Sequence, residues 1–173
     1  MERFDIFFKH TMKWEGGDQY HEVPGDPGGA TKYGISQKAY PELDIEELTY
    51  EQALAIYHED YYPSYIDAIE HDETAGRLFD FGVNAGPARA AKVLQTAAND
   101  ELAGRGDISL RPLKVDGQVG PATLRLVNAL GADMYDEFHR RIAEFYTNLA
   151  ARPQLKKFLR GWLNRLNDPI MEN

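Results

Sequence analysis

Two carboxyl groups, Glu15 and Asp26, share one glycine-rich polar stretch from Lys13 to Ser36. It reads Lys-Trp-Glu-Gly-Gly-Asp-Gln-Tyr-His-Glu-Val-Pro-Gly-Asp-Pro-Gly-Gly-Ala-Thr-Lys-Tyr-Gly-Ile-Ser. The spacing places Glu15 at the C-terminal end of a helix, where the backbone dipole is negative and disfavours a carboxylate. Trp14 and the apolar helix add desolvation, so both effects favour the protonated, proton-donating form. Asp26 is followed by Pro27-Gly28-Gly29. The amides of Gly28 and Gly29 are free to point at its carboxylate, and such bonds favour the ionised form. Two carboxyl groups with proton affinities pushed apart form the acid and base pattern of glycoside hydrolysis. The hydroxyl of Thr31 can hold a water nearby. Taken singly, Glu-Gly-Gly also reads as a helix C-cap, and Asp-Pro-Gly-Gly as an ordinary turn. The two in sequence, at a helix end and then in a loop, are the more specific pattern.

The elements that must hold these groups are mainly helical. Phe4, Phe7, Phe8 and Met12 recur at helical spacing, which predicts a helix over 4–15, stopped by Gly16-Gly17. Residues 18–36 carry no helical stripe and read as a loop with a short β-hairpin. Thr49 and Gln52 form a capping-box pattern that opens a helix over 49–61. Another is predicted over 74–84. Gly86-Pro87 opens a helix through Leu94, and Gly120-Pro121 opens one that Gly131 closes. The last two are predicted over 133–151 and 154–166. Phe138, Ile142, Phe145 and Leu149 line the first; Leu155, Phe158, Leu159, Trp162 and Leu166 line the second. No long β-branched run appears. The expected fold class is mainly α with one irregular polar insertion near the N-terminus.

A length of 173 residues, 43% of them hydrophobic, suits one compact domain or one domain with a small subdomain. Absence of cysteine excludes disulfides and thiolate metal sites. No apolar run approaches the roughly 20 residues that span a bilayer. The N-terminus lacks a basic segment followed by an apolar run, so the expectation is synthesis in the cytoplasm without a signal peptide. A net charge of −9 argues against nucleic-acid binding. Residues 1–138 carry 12 Lys/Arg against 25 Asp/Glu, or −13, and residues 139–173 carry 7 against 3, or +4. Arg140, Arg141, Arg152, Lys156, Lys157, Arg160 and Arg165 make up that basic end, which predicts a polarised surface.

Glu15-Gly16-Gly17, then Asp26-Pro27-Gly28-Gly29, then Thr31-Lys32-Tyr33-Gly34-Ile35 resembles the glycoside hydrolase family 108 muramidases. These are phage endolysin-like and prophage-encoded enzymes, some described as secretion activators. The order Glu, Asp, Thr, then Gly-Ile also resembles the site of phage T4-type lysozymes. Further on, Asp80, Val83-Asn84, Gly86, Ala90 and Leu94-Gln95 resemble the second half of that family, a predicted peptidoglycan-binding region. Asp116-Gly117, Val119-Gly120-Pro121 and Thr123 match its Asp-Gly…Gly-Pro-x-Thr signature. The likeness covers roughly residues 4–165. Family members often carry an aromatic directly after Glu-Gly-Gly; here Asp18 stands there, and Tyr20 follows two residues later.

The resemblance implies a lysozyme-like helical fold, a single domain over 1–173 with a catalytic lobe over 1–75 and a helical lobe over 76–173. It implies hydrolysis of the β-1,4 bond between N-acetylmuramic acid and N-acetylglucosamine. Glu15 is the acid, and Asp26 with Thr31 directs a water, giving inversion without cofactor or metal. Tyr20, Tyr33 and Tyr61 are candidates to stack on sugar rings; Asp80, Asn84 and Gln95 are candidates for polar contacts to them. Of the run Tyr57, Tyr61, Tyr62 and Tyr65, most read as helix packing. Asn84 also reads as a helix cap. His58-Glu59-Asp60 and His71-Asp72-Glu73 lack the spacing that sets two imidazoles on one helix face, and read as solvated surface. The expected partner is peptidoglycan, met by a monomer after release through another protein or lysis. A non-catalytic peptidoglycan-binding or secretion-assisting protein, and a chitinase, are the alternatives.

Overall fold

In a computed structural model that describes residues 2–22, 29–107 and 109–171, the stripe Phe4, Phe7, Phe8 and Met12 folds as helix α1, Arg3–Trp14. All four side chains are buried. The helix opens with the Asp5 carboxylate accepting the Glu2 amide at 3.2 Å. It ends at Glu15, and Gly16 and Gly17 take φ values of +86° and +58°. Such values suit glycine, which has no Cβ to clash.

Next comes a hairpin of two short strands, β1 (Thr31–Lys32) and β2 (Ile35–Ser36), antiparallel with Thr31 opposite Ser36 and Lys32 opposite Ile35. Its two-residue turn is Tyr33-Gly34, at φ +53° and +73°. Two successive positive φ values are what a tight turn needs to match strand twist. His21 adds one further bridge to Thr31. Helix α2, Tyr50–Tyr61, carries the expected capping box: Thr49 Oγ1 accepts from the Gln52 amide at 3.2 Å, and Gln52 Oε1 accepts from the Thr49 amide at 2.9 Å. It packs on α1 through rings, with Phe8 5.2 Å from Tyr57 and Phe4 4.6 Å from Tyr62. These elements form one compact unit, residues 1–63.

A second unit, residues 64–173, holds α3 (Asp72–Ala85), α4 (Pro87–Arg105), α5 (Pro121–Leu130), α6 (Met134–Ala150) and α7 (Leu159–Asn167). Both α3 and α6 pack along α4. Ala90, Ala91, Leu94, Ala97 and Ala98 of α4 are at most 1% exposed, so small side chains let the neighbouring helices approach closely. The fold is mainly α, with seven α-helices and one two-stranded hairpin among the described residues.

Several expected boundaries shift. The compact units divide after Pro63, and residue 75 lies inside α3. Helix α4 runs past Leu94 to Arg105, where Gly106 in a left-handed conformation stops it. The buried stripe of α6 is Met134, Phe138, Ile142, Tyr146 and Ala150, so Tyr146 takes the core place expected for Phe145. Residues 154–166 are not one helix: a short 3-10 turn at Lys156–Phe158 precedes α7, and Phe158 is 45% exposed beneath the Lys157 ammonium.

The polarised basic end is also smaller than its sequence suggests. Arg165 is buried. Arg140 is paired with Glu137 and Glu144, and Arg141 Nε donates to Asp100 at 2.8 Å. The hydrogen bond from Arg140 holds the Glu137 carboxyl below its ordinary range. Arg152, Lys156, Lys157 and Arg160 are exposed, as is the paired Arg140.

Candidate active site

Glu15 is the residue where α1 stops. Its amide still donates to the Thr11 carbonyl at 3.1 Å, but its φ of −89° and ψ of 14° have left the helical line. The chain then reverses through Gly16-Gly17, and the Gly17 amide closes onto the Met12 carbonyl at 3.0 Å. The Gly17 carbonyl accepts the Tyr33 amide, also at 3.0 Å. At the second of the two glycines, the helix end is therefore bonded straight to the tip of the hairpin.

The next residue of the hairpin, Gly34, lies against the acid. A Cβ placed on Gly34 would stand 3.3 Å from Glu15 Cβ, 3.5 Å from Glu15 Oε2 and 2.7 Å from the Tyr57 hydroxyl. Tyr57, 3% exposed on α2, donates that hydroxyl to the Tyr33 carbonyl at 3.1 Å. Helix α1 supplies the carboxyl group, the hairpin supplies a surface without a side chain beside it, and α2 pins the hairpin. Gly34 and Tyr57 were not among the site residues read from sequence. Gly34 stood in the motif only as a glycine, and Tyr57 read as helix packing.

Thr31 starts the same hairpin. Its amide donates to the His21 carbonyl at 2.8 Å, and its carbonyl accepts from the His21 amide at 2.9 Å. Lys32 leaves the opposite face, as successive strand residues do, and donates to the Glu46 carbonyl at 2.7 Å. Asp26 lies outside the described residues.

The three tyrosines fare differently. Tyr20 is 37% exposed, and its hydroxyl donates to Glu22 at 2.9 Å, a bond that raises the phenol's pKa. Tyr61 is 40% exposed, with its ring 5.0 Å from that of Tyr57. Tyr33 is buried, edge-on to Tyr50 at 6.2 Å, and burial pushes its phenol up. Its ring is a packing element; its backbone is the part that meets the site.

Asp80, Asn84 and Gln95 belong to the helical unit. Asp80 is 3% exposed and accepts from Arg165 at 2.8 Å and from Arg77 at 3.4 Å. Gln95 is 1% exposed. Its amide nitrogen donates to Asp116, the Gln118 carbonyl and Thr123 at 3.0, 3.0 and 3.3 Å, and its oxygen accepts the Gly117 amide at 2.9 Å. Asp80 thus makes an ionic tie to α7, and Gln95 a clasp on the Asp116 turn. The Gln95 bond holds the Asp116 carboxyl below its usual range. Gly117 is explained as well, since a Cβ there would meet the Ala88 carbonyl at 2.8 Å. Asn84 stays exposed and accepts the Tyr146 hydroxyl at 3.1 Å. Among the described residues, no helix is long and apolar enough to cross a membrane.

Residues 8–86 match the family model described as Glycosyl hydrolase 108, and residues 89–167 match the one described as Predicted Peptidoglycan domain. No curated protein matches the chain. Among solved structures, that of Brucella abortus SagA is similar at 24% identity and a TM-score of 0.57, covering 97% of this chain and 98% of that one. At that identity the likeness concerns the fold.

Proposed function

We propose that this chain, which joins a glycosyl hydrolase 108 domain to a predicted peptidoglycan domain, is an N-acetylmuramidase. The two domains mark a peptidoglycan-degrading glycoside hydrolase; the bond and the residue roles are inferred from Glu15 and its setting. The bond is the β-1,4 link from N-acetylmuramic acid to N-acetylglucosamine. Glu15 gives its proton to the glycosidic oxygen as the bond from that oxygen to the sugar's anomeric carbon breaks. Asp26, with Thr31 holding the water, takes a proton from water on the opposite face as its oxygen bonds to that carbon. The product has the α configuration, the outcome of a single displacement.

The observation that carries this reading is the contact between Glu15 and Gly34. A half-buried carboxyl group at a helix end faces a residue with no side chain, 3.5 Å from where a methyl would sit. The missing side chain lets the hairpin backbone come up against Glu15 and orient its carboxyl group, while Tyr57 keeps the hairpin from drifting. Mass spectrometry of digested peptidoglycan tests the bond: the new reducing end should be N-acetylmuramic acid. Proton NMR during early turnover tests the stereochemistry. A reducing N-acetylglucosamine end, or a β first product, would reassign the bond or the mechanism. Intact walls after treatment with folded protein would leave a binding role alone.

A further inference from the structure

We propose that the cavity beside Arg77 in the helical unit binds a free α-amino-acid group, a carboxylate and an ammonium on one carbon, as a diamino acid's side arm carries in a peptide stem. The ligand class rests on the peptidoglycan reading above; the geometry does not. The cavity measures about 430 Å³ and is lined by Glu73, Arg77, Tyr135, Asp136, His139 and Asp168, among others. That lies within the ~300–1,000 Å³ of small-molecule pockets.

Arg77 supplies the carboxylate's partner. It is 1% exposed, yet it lines the cavity. One terminal nitrogen donates to Asp80 at 3.4 Å and to the Arg165 carbonyl at 3.2 Å, and the other donates to the Asp168 carbonyl at 2.6 Å. Its Nε–H has no partner among the described residues. Buried donors are nearly always satisfied, so one left open beside a cavity is a place for a ligand's acceptor.

The rest of the lining selects against a plain anion. Glu73, Asp136 and Asp168 bring three carboxylates to the same cavity. Glu73 is held fast, accepting the Met171 amide at 2.8 Å, the Ile170 amide at 3.3 Å and the Tyr135 hydroxyl at 3.4 Å. The Leu166 carbonyl can only accept, so His139 donates to it from Nε2 at 3.2 Å. A neutral ring then keeps Nδ1 as an acceptor. A lone carboxylate would find Arg77 but face this acidic wall, whereas a zwitterion matches both signs.

Calorimetric titration of the full chain decides the matter, with meso-diaminopimelate as probe. Pimelate and 1,5-diaminopentane are controls that carry only the carboxylates or only the ammonium groups. Saturable binding of diaminopimelate is expected, with both controls weaker by about tenfold or more, the loss of one charge-assisted bond. Asp136→Asn, at an exposed position, should weaken diaminopimelate to a similar extent. Arg77→Lys, which keeps the charge and removes the Nε donor, should do the same if it folds. No saturable binding, pimelate binding as well as diaminopimelate, or unchanged binding by Asp136→Asn would overturn the proposal. Diaminopimelate binding by a chain that leaves walls uncut would uphold this site while removing the muramidase reading. Cutting without such binding would do the reverse.

Discussion

The Tyr57 hydroxyl donates to the Tyr33 carbonyl at 3.1 Å, tying α2 to the turn that faces Glu15. Tyr57→Phe should leave that buried carbonyl without this donor, at a cost of ~1–3 kcal/mol. The urea midpoint should fall accordingly. Wall hydrolysis measured well below that midpoint should fall further than stability alone explains, because the turn is also the acid's neighbour. An unchanged midpoint would mean that the bond contributes nothing.

Gly34→Ala and Gly16→Ala separate strain from crowding. Both glycines sit at positive φ, +73° and +86°. Alanine at such a position destabilises by about 1 kcal/mol or more. Around Gly16 a Cβ meets nothing within 4 Å, whereas at Gly34 it meets Tyr57 and the Glu15 carboxylate. Gly16→Ala should therefore lower the thermal midpoint but keep hydrolysis by the folded fraction. Gly34→Ala should lose both. Equal turnover by the two folded variants would argue against a role for the close approach of Gly34 to Glu15.

Glu15→Gln keeps the shape of the helix end and removes the transferable proton. General acid catalysis contributes ~10²–10⁴-fold, so lysis should nearly vanish. Circular dichroism and the thermal midpoint should stay near wild type. A folded variant that clears a wall suspension at the normal rate would exclude Glu15 as the acid.

In the helical unit, Asp80→Asn should be severe. Breaking a buried ion pair by removing one partner costs ~3–5 kcal/mol. Here the loss removes a carboxylate to which both Arg165 and Arg77 donate. Truncation after residue 150 should be worse, since it takes away Arg165 and the two carbonyls that receive Arg77. Urea titrations read both effects.

His139 should impose a pH dependence on stability. Burial, and then the positive charge of Arg77, hold its pKa below the ordinary value. A depressed histidine contributes stability that is complete above its unfolded pKa of about 6.5 and is lost as pH falls through the lower folded value. The urea midpoint should therefore drop as pH is lowered from about 7.5 to about 5.5, and drop less in His139→Gln. Proton NMR titration of the His139 ring gives the folded pKa directly; a value at or above 6.5 would contradict this account.

What the sequence made legible was local. The stripe Phe4, Phe7, Phe8, Met12 and the stop at Gly16-Gly17 define where α1 ends, and hence where Glu15 stands. Thr49 and Gln52 cap α2 within three residues of each other. What stayed hidden depends on distant partners. Tyr57 meets Tyr33 across 24 positions, and Asp80 meets Arg165 across 85, so neither pairing leaves a local pattern. The partners of Asp80 and Gln95 were not legible either, because a polar residue in a motif does not announce which polar group satisfies it. Helix α4 looked short because its later core positions are Ala97 and Ala98, too small to register as an apolar stripe.

The family segments and the packed units do not share a border. The hydrolase match runs to residue 86 and so includes α3, yet α3 packs with α4 and α6 and sends Asp80 to Arg165. In evolutionary terms the segment that matches the predicted peptidoglycan domain is not a free cassette. A crossover at the sequence border would join the α3 of one lineage to the α7 of another and gamble on a matching arginine. A crossover near Ser64, upstream of α3, would instead keep Asp80 and Arg165 together.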